Sequence, residues 1–249
     1  MRSWAAALAV LLLLAEASHG SLLRDGGLPL AGKVVVIDPG HNPGNFAHPA
    51  EISRLVDAGT LMKACDTTGT ATSSGYREAD FNWDVAVRLR RVLDAAGARV
   101  VFTRPGRTRP AFGPCITERA AIGNRAKADV AISIHADGGP ASGRGFHVAY
   151  APSIPGLTDD IAKPSKRLAL MVRDAYADGT GLPTATYLGG DGLSVRSDFG
   201  GLNLSDVPKV LFESGNMRNA TDAALLATAS FRERIARALA NGLTAFLTR

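Results

Sequence analysis

The chain has 249 residues, of which 46% are hydrophobic and 20% charged, and it carries a formal net charge of +5. Its Lys and Arg residues are scattered and no nucleic-acid-binding motif appears, so the composition excludes a nucleic-acid partner; mild basicity suits anionic surroundings such as a cell wall. No segment after the first twenty residues is apolar enough to anchor the chain in a membrane.

The elements follow in chain order. Arg2, the apolar run Ala5 to Ala15 and the small-x-small exit Ala15-Glu16-Ala17 stand in the order of a secretory signal peptide, so residues 1–20 are expected to be removed on export. Residues 21–249 then form one domain, the size of a single large α/β unit. Two cysteines in an exported chain, Cys65 and Cys115, are expected to pair, because that compartment oxidises thiols.

Lys33 to Asp38 is a continuous apolar run stopped by Pro39-Gly40, which predicts a strand buried on both faces. Residues 42–77, rich in Gly, Thr, Ser and Pro, read as a long loop with one short helix near Ile52 to Val56. Phe81, Val85, Leu89, Val92 and Leu93 recur at helical spacing, and Gly97 stands at a C-cap, so Glu78 to Ala96 is a predicted helix. Arg99 to Thr103 follows as a strand, Thr117 to Ala128 as a helix, and Asp129 to His135 as a third strand. Gly145 to Tyr150 and Val207 to Phe212 are further strands. Helices are expected at Ser165 to Asp178, Thr221 to Ala229 and Phe231 to Leu247, the last presenting a solvated charged face. Alternation of this kind predicts a mostly parallel, twisted sheet in one α/β domain, with helices on both faces. Residues 138–145 and 151–163 are Gly-rich or broken by Pro and predict turns rather than a helix that would block a site.

A catalytic zinc needs about three protein ligands drawn from His and carboxylates. His41 follows the first strand and His135 ends the third. In an open α/β sheet, ligands bind outside the carboxyl ends of the strands, so the two can converge. Glu78 opens the first long helix and Glu213 follows the last strand, on the same rim. Singly, each has an ordinary structural explanation, and the spacing alone leaves a metal site and a structural role balanced. His48, in the long loop, and His147, at a sheet edge, are expected to play surface roles. Asp38 either orients His41 or caps its turn, while Arg104 and Arg119 are expected to form structural salt bridges.

Val36-Ile37-Asp38-Pro39-Gly40-His41, Arg77-Glu78-Ala79-Asp80-Phe81-Asn82, Ile132-Ser133-Ile134-His135-Ala136-Asp137 and Glu213-Ser214-Gly215-Asn216 resemble, in order, the motifs of the zinc-dependent N-acetylmuramoyl-L-alanine amidase 3 family. The lone catalytic domain looks most like its mycobacterial members. The resemblance implies that His41, Glu78 and His135 ligate Zn2+ and that Glu213 is the catalytic carboxylate. It implies hydrolysis of the amide between N-acetylmuramic acid and L-alanine, on peptidoglycan or muramyl-peptide fragments, by a monomer in the periplasm or cell wall. Asn42 and Asn216 depart from the family pattern and put the shape of the groove in question. Two other readings stand beside this one: a zinc peptidase acting within the stem peptide, and a non-catalytic wall-binding protein, which would have no need of Glu213.

Overall fold

The computed structural model describes residues 27–106 and 111–249; the expected signal segment, 1–20, lies outside them. The first strand, β1 (Val34–Pro39), is followed by a short 3-10 turn at Asn45–Ala47, α1 (Pro49–Ser53), and the hairpin strands β2 (Leu55–Asp57) and β3 (Met62–Ala64). Then come α2 (Glu78–Ala95), β4 (Arg99–Phe102), α3 (Ile116–Arg125), β5 (Val130–Asp137), β6 (His147–Tyr150) and α4 (Ala162–Thr180). The chain ends with β7 (Leu193–Val195), α5 (Gly200–Asn203), β8 (Lys209–Asn216), α6 (Ala220–Leu226) and α7 (Ala229–Leu247).

Six strands form one sheet in the order β4-β1-β5-β8-β6-β7. Neighbours run parallel except β8 and β6, which are antiparallel. The mostly parallel α/β sheet predicted from the alternation of elements is therefore what forms. Because side chains alternate along a strand, Val35, Ile37, Ile132, Ile134, Val210 and Phe212 all point to one face, where they meet Phe81, Val85 and Leu89 of α2, Leu168 and Val172 of α4, and Ile235, Leu239 and Leu243 of α7. The other face carries Ala149 and Leu211 against Leu202 of α5. At the end of α2, Gly97 takes φ 95°, which closes the helix where a side chain would be strained.

The differences from the sequence reading are instructive. The 42–77 segment is not only loop: β2 and β3 pair antiparallel, and its helix ends at Ser53. The three-residue strand β7 and the one-turn α5 carry too few residues for a periodicity and went unread. α7 does turn charges such as Arg234 and Arg237 to solvent, but its opposite face is core: nine of its residues are buried, among them Phe231, Ile235, Leu239 and Phe246. The last strand runs on to Asn216, so Glu213 lies within it rather than after it. There the ladder shifts: His135 pairs with Glu213 but Asp137 with Asn216, so β8 holds one extra residue, and Gly215 (φ 148°) accommodates the bulge. As expected, 138–145 contains no helix; of 151–163, residues up to Ile161 are non-helical and the last two open α4.

Candidate metal centre and active site

Three expected ligands meet at the carboxyl ends of β1 and β5. One ligand atom each from His41, Glu78 and His135 lies within 4.8 Å of the others. Glu78 Oε1 stands 3.2 Å from His41 Nε2 and 2.9 Å from His135 Nδ1, and the two imidazoles meet edge to face with centroids 4.9 Å apart. His41 is placed by a left-handed turn (φ 56°), a conformation that costs a non-glycine residue about 1–3 kcal/mol and is held by its surroundings. The Arg119 guanidinium does much of the holding, donating to Pro39 O (2.9 Å) and His41 O (3.1 Å). Gly40 is needed beside it, since a Cβ there would run into the His135 ring.

The donor set suits a divalent cation. His41 Nδ1 lies 3.0 Å from Thr67 O, a carbonyl that can only accept, so Nδ1 carries the proton and Nε2 offers its lone pair toward Glu78 and His135. Glu78 is steadied by the backbone N–H groups of Thr70 (2.9 Å) and Ala136 (3.3 Å), and by Asn82 one turn further along α2 (3.4 Å). Burial lowers the His41 pKa, but the Glu78 and Asp66 carboxylates outweigh it and hold the imidazole above its usual range.

Behind the site lies a buried network. Asp66 Oδ1 is 3.3 Å from His41 Nδ1, and Arg119 bridges Asp66 (3.1 Å) and Asp38 (2.9 Å). Asp38 also receives Thr103 Oγ1 (2.6 Å) and Lys209 Nζ (3.2 Å). Asp38 therefore does not touch His41; Asp66 and Thr67, from the long loop, do the orienting. Arg119 forms the structural salt bridges expected of it, whereas Arg104, 1% exposed, donates instead to the carbonyls Pro39 O, Gly106 O and Ala79 O and lies over the Trp83 ring. Cys65 and Cys115 are joined, Cα atoms 4.4 Å apart, directly before Asp66 and at the N-cap of Arg119's helix.

Glu213 occupies the strand between His135 and His147, directly opposite both. Cross-strand pairs bring Cβ atoms within about 5.5 Å, so the three side chains form one row on the same face of the sheet. Burial, then the charges of Glu78 and Asp137, push the Glu213 carboxyl well above its usual range. Its Oε2 is buried with no hydrogen-bond partner among the described residues. His147 is not the surface residue expected: β6 lies inside the sheet between β8 and β7, and His147 is 5% exposed. Tyr187 stands edge-on to it and donates to Asp137 Oδ2 (2.9 Å). His48 does lie near the surface, against Glu51 and Phe112. The two departures from the family pattern are structural: Asn42 binds Gly113 O and Gly44 N, and Asn216 binds Pro140 O and Gly143 O.

Asp66, Thr67, Asp137 and Tyr187 were missed by sequence reasoning. Only Asp66 had a signal, its place next to a cysteine expected to be tied to another segment.

Fold and site together define a single α/β domain with a His–Glu–His cluster on the carboxyl rim of its mostly parallel sheet. The chain belongs to the N-acetylmuramoyl-L-alanine amidase family Amidase_3, whose model matches residues 35–245. It is 46% identical over 219 residues to the N-acetylmuramoyl-L-alanine amidase Rv3717 of Mycobacterium tuberculosis, covering 88% of each chain. The crystal structure of the N-acetylmuramyl-L-alanine amidase Ami1 from Mycobacterium smegmatis superposes with a TM-score of 0.81 at 43% identity, over 88% of this chain and 98% of that one. The catalytic domain of CwlV, an amidase from Bacillus (Paenibacillus) polymyxa, gives 0.64 at 28% identity, over 86% and 98%.

Proposed function

We propose that this chain hydrolyses the amide between the lactyl carbonyl of N-acetylmuramic acid and the first L-alanine of the stem peptide, in peptidoglycan or its fragments, using zinc and a glutamate base. The observation that carries the reading is the row His135–Glu213 set against His41 and Glu78: three convergent ligand atoms beside one buried, unpartnered carboxylate oxygen. Family membership and the 46% identity to a mycobacterial amidase support the same bond as the target.

His41 Nε2, Glu78 Oε1 and His135 Nδ1 would hold the cation. Zinc there would supply Lewis acidity, lowering the pKa of water to about 7 and polarising the carbonyl under attack. Glu213 takes the proton of the attacking water at its free Oε2 and returns it to the departing alanine amine. Its raised pKa brings a carboxylate toward the operating pH, where one group can both accept and give back a proton. Thr67 and Asp66 keep the His41 ring in the metal-binding tautomer.

The order of charge, apolar run and small residues in 1–20, together with the Cys65–Cys115 disulfide, supports export, so the mature chain (21–249) works outside the cytoplasmic membrane. No helix among the described residues is long and apolar enough to cross a membrane.

The test is Glu213→Gln, which keeps size but cannot accept the proton. Turnover of a muramyl peptide, followed by mass spectrometry of the products, should fall at least about a hundred-fold, or about 2.7 kcal/mol, while zinc content is retained. Loss of zinc would make Glu213 a ligand, and near-normal turnover would remove it from the reaction. Cleavage between stem residues, instead of release of muramic acid, would favour the peptidase reading.

A further inference from the structure

The loop that carries His41 continues into a rim with two exposed aromatic rings. Phe46, on the 3-10 turn at Asn45–Ala47, is 62% exposed, and the Arg77 guanidinium lies over its ring at 5.9 Å. Phe112, 39% exposed, packs against His48 with ring centroids 5.0 Å apart, and with Ala50, Glu51 and Arg54 it lines an open hollow of about 550 Å³. We propose that this rim is a glycan-binding track: Phe46 takes the face of a sugar neighbouring the muramic acid, and the hollow takes the next sugar of the strand. The inference rests on the amidase reading above and places the carbohydrate side of that substrate.

Short links tie the rim to the His–Glu–His cluster. Asn45 donates to Thr67 O at 2.7 Å, the same carbonyl that His41 Nδ1 approaches at 3.0 Å. Asn45 Oδ1 in turn accepts from Gly113 N at 2.9 Å, which holds the residue after Phe112 to the same turn. Arg77, the residue before Glu78, donates to Pro43 O (3.3 Å) and makes two contacts with Asp80 Oδ2 (3.0 and 2.7 Å). Followed along these bonds, the Cα of Phe46 lies within about 16 Å of His41 Nε2, so sugars flanking a muramic acid at the cluster can reach it. None of the rim side chains lines the separate cavity of about 250 Å³ beside His41 and His135, which is walled by β3, α3 and α5.

The chemistry of the rim matches a sugar. A pyranose carries C–H groups on its faces and hydroxyls around its edge, so it is recognised by a flat aromatic face with polar groups beside it. Phe46 gives one such face, with Arg77 at its side. In the hollow Phe112 gives the face, Glu51 an acceptor and Arg54 the donors. Among the described residues the Arg54 guanidinium donates to Cys115 Sγ at 3.7 Å, which leaves most of its five N–H groups for hydroxyls or an acetamido carbonyl. The hollow falls in the range of about 300–1,000 Å³ typical of small-ligand sites. Two rings are too little surface for a protein partner, which needs about 800 Å² from each side.

The experiment compares kcat/KM on two soluble substrates that carry the same dipeptide, one on muramic acid alone and one on a strand of four sugars. The wild-type protein should prefer the strand. Phe46→Ala should lower the four-sugar to one-sugar ratio about 3- to 10-fold, as expected for one stacking contact, and leave kcat/KM on the single sugar unchanged. Phe46→Trp should restore the ratio, and Phe112→Ala should lower it by a similar factor. Absence of a preference in the wild-type protein, an unchanged ratio in Phe46→Ala, or an equal fall on both substrates would overturn the track, the last by making Phe46 a structural residue. Failure of the wild-type protein to cut either substrate at the lactyl–alanine bond would instead overturn the amidase reading beneath it.

Discussion

At the scale of single residues, the ligands are only as good as what holds them. Asp66 and Thr67 fix the proton of His41, so Asp66→Asn, which keeps the shape but removes the charge, should weaken zinc binding about 10- to 100-fold, measured by competition with a chelator. His147 supplies a pH signature. Burial brings its pKa down to about 4, aided by the Arg196 charge and opposed by Asp137. The unfolded chain takes up this proton near pH 6.5 and the folded chain does not until about 4, so the associated stability is complete above 6.5 and is lost as pH falls toward 4. Integrated over that window it amounts to about 3 kcal/mol. Chemical denaturation of His147→Gln across pH 4–7 should show a correspondingly flatter profile; an equal slope in both proteins would place the effect elsewhere. These two residues also mark what the sequence left unread. His41 and His135 sit beside turn signals that tie them to strand ends, and Glu78 opens a helix whose apolar period is long enough to read. Asp66 lies in a segment without periodicity, and His147 looks peripheral until the three-residue β7 is seen to cover its strand.

Among the elements, the long segment between β1 and α2 is the one whose role depends most on a covalent tie. Its hairpin is clamped to the 197–203 region by Asn203, which donates to Ala58 O and Ser197 O, and its far end is bound to α3 through Cys65–Cys115. The disulfide closes a 50-residue span, for which chain entropy gives about 4 kcal/mol. A Cys65→Ser/Cys115→Ser double variant should lose roughly that much in urea denaturation. Because Asp66 follows Cys65 directly, the variant should also bind zinc more weakly than the disulfide form at temperatures where both are folded. The hairpin was invisible in the sequence for the same reason that α5 was: pieces of three or four residues present no repeat. The helices α2 and α7 and the strands β1 and β5 were legible because each runs long enough for its apolar period to show.

For the whole molecule, stability and chemistry occupy opposite faces of one sheet. Leu239 of α7 is fully buried in the main core, among side chains that do not line the site. Leu239→Ala should therefore cost about 2–5 kcal/mol in thermal or chemical unfolding, while kcat at a temperature where the fold persists stays within about twofold of wild type. A large fall in kcat at full occupancy of the native state would show that the two faces are coupled.

The alternation along β5 and β8 behaves like a reading frame. Odd positions, Ser133, His135, Leu211 and Glu213, spell the cleft; even ones, Ile132, Ile134, Val210 and Phe212, spell the core. A single residue inserted or deleted in either strand is a structural frameshift: Phe212 would be delivered to the His–Glu–His cluster and Glu213 to the oil, so every site on that strand would fail at once. Between the strands no such frame exists. A residue gained or lost in the turns at 138–146 or 151–161 should leave the row of side chains on β5 and β8 in register.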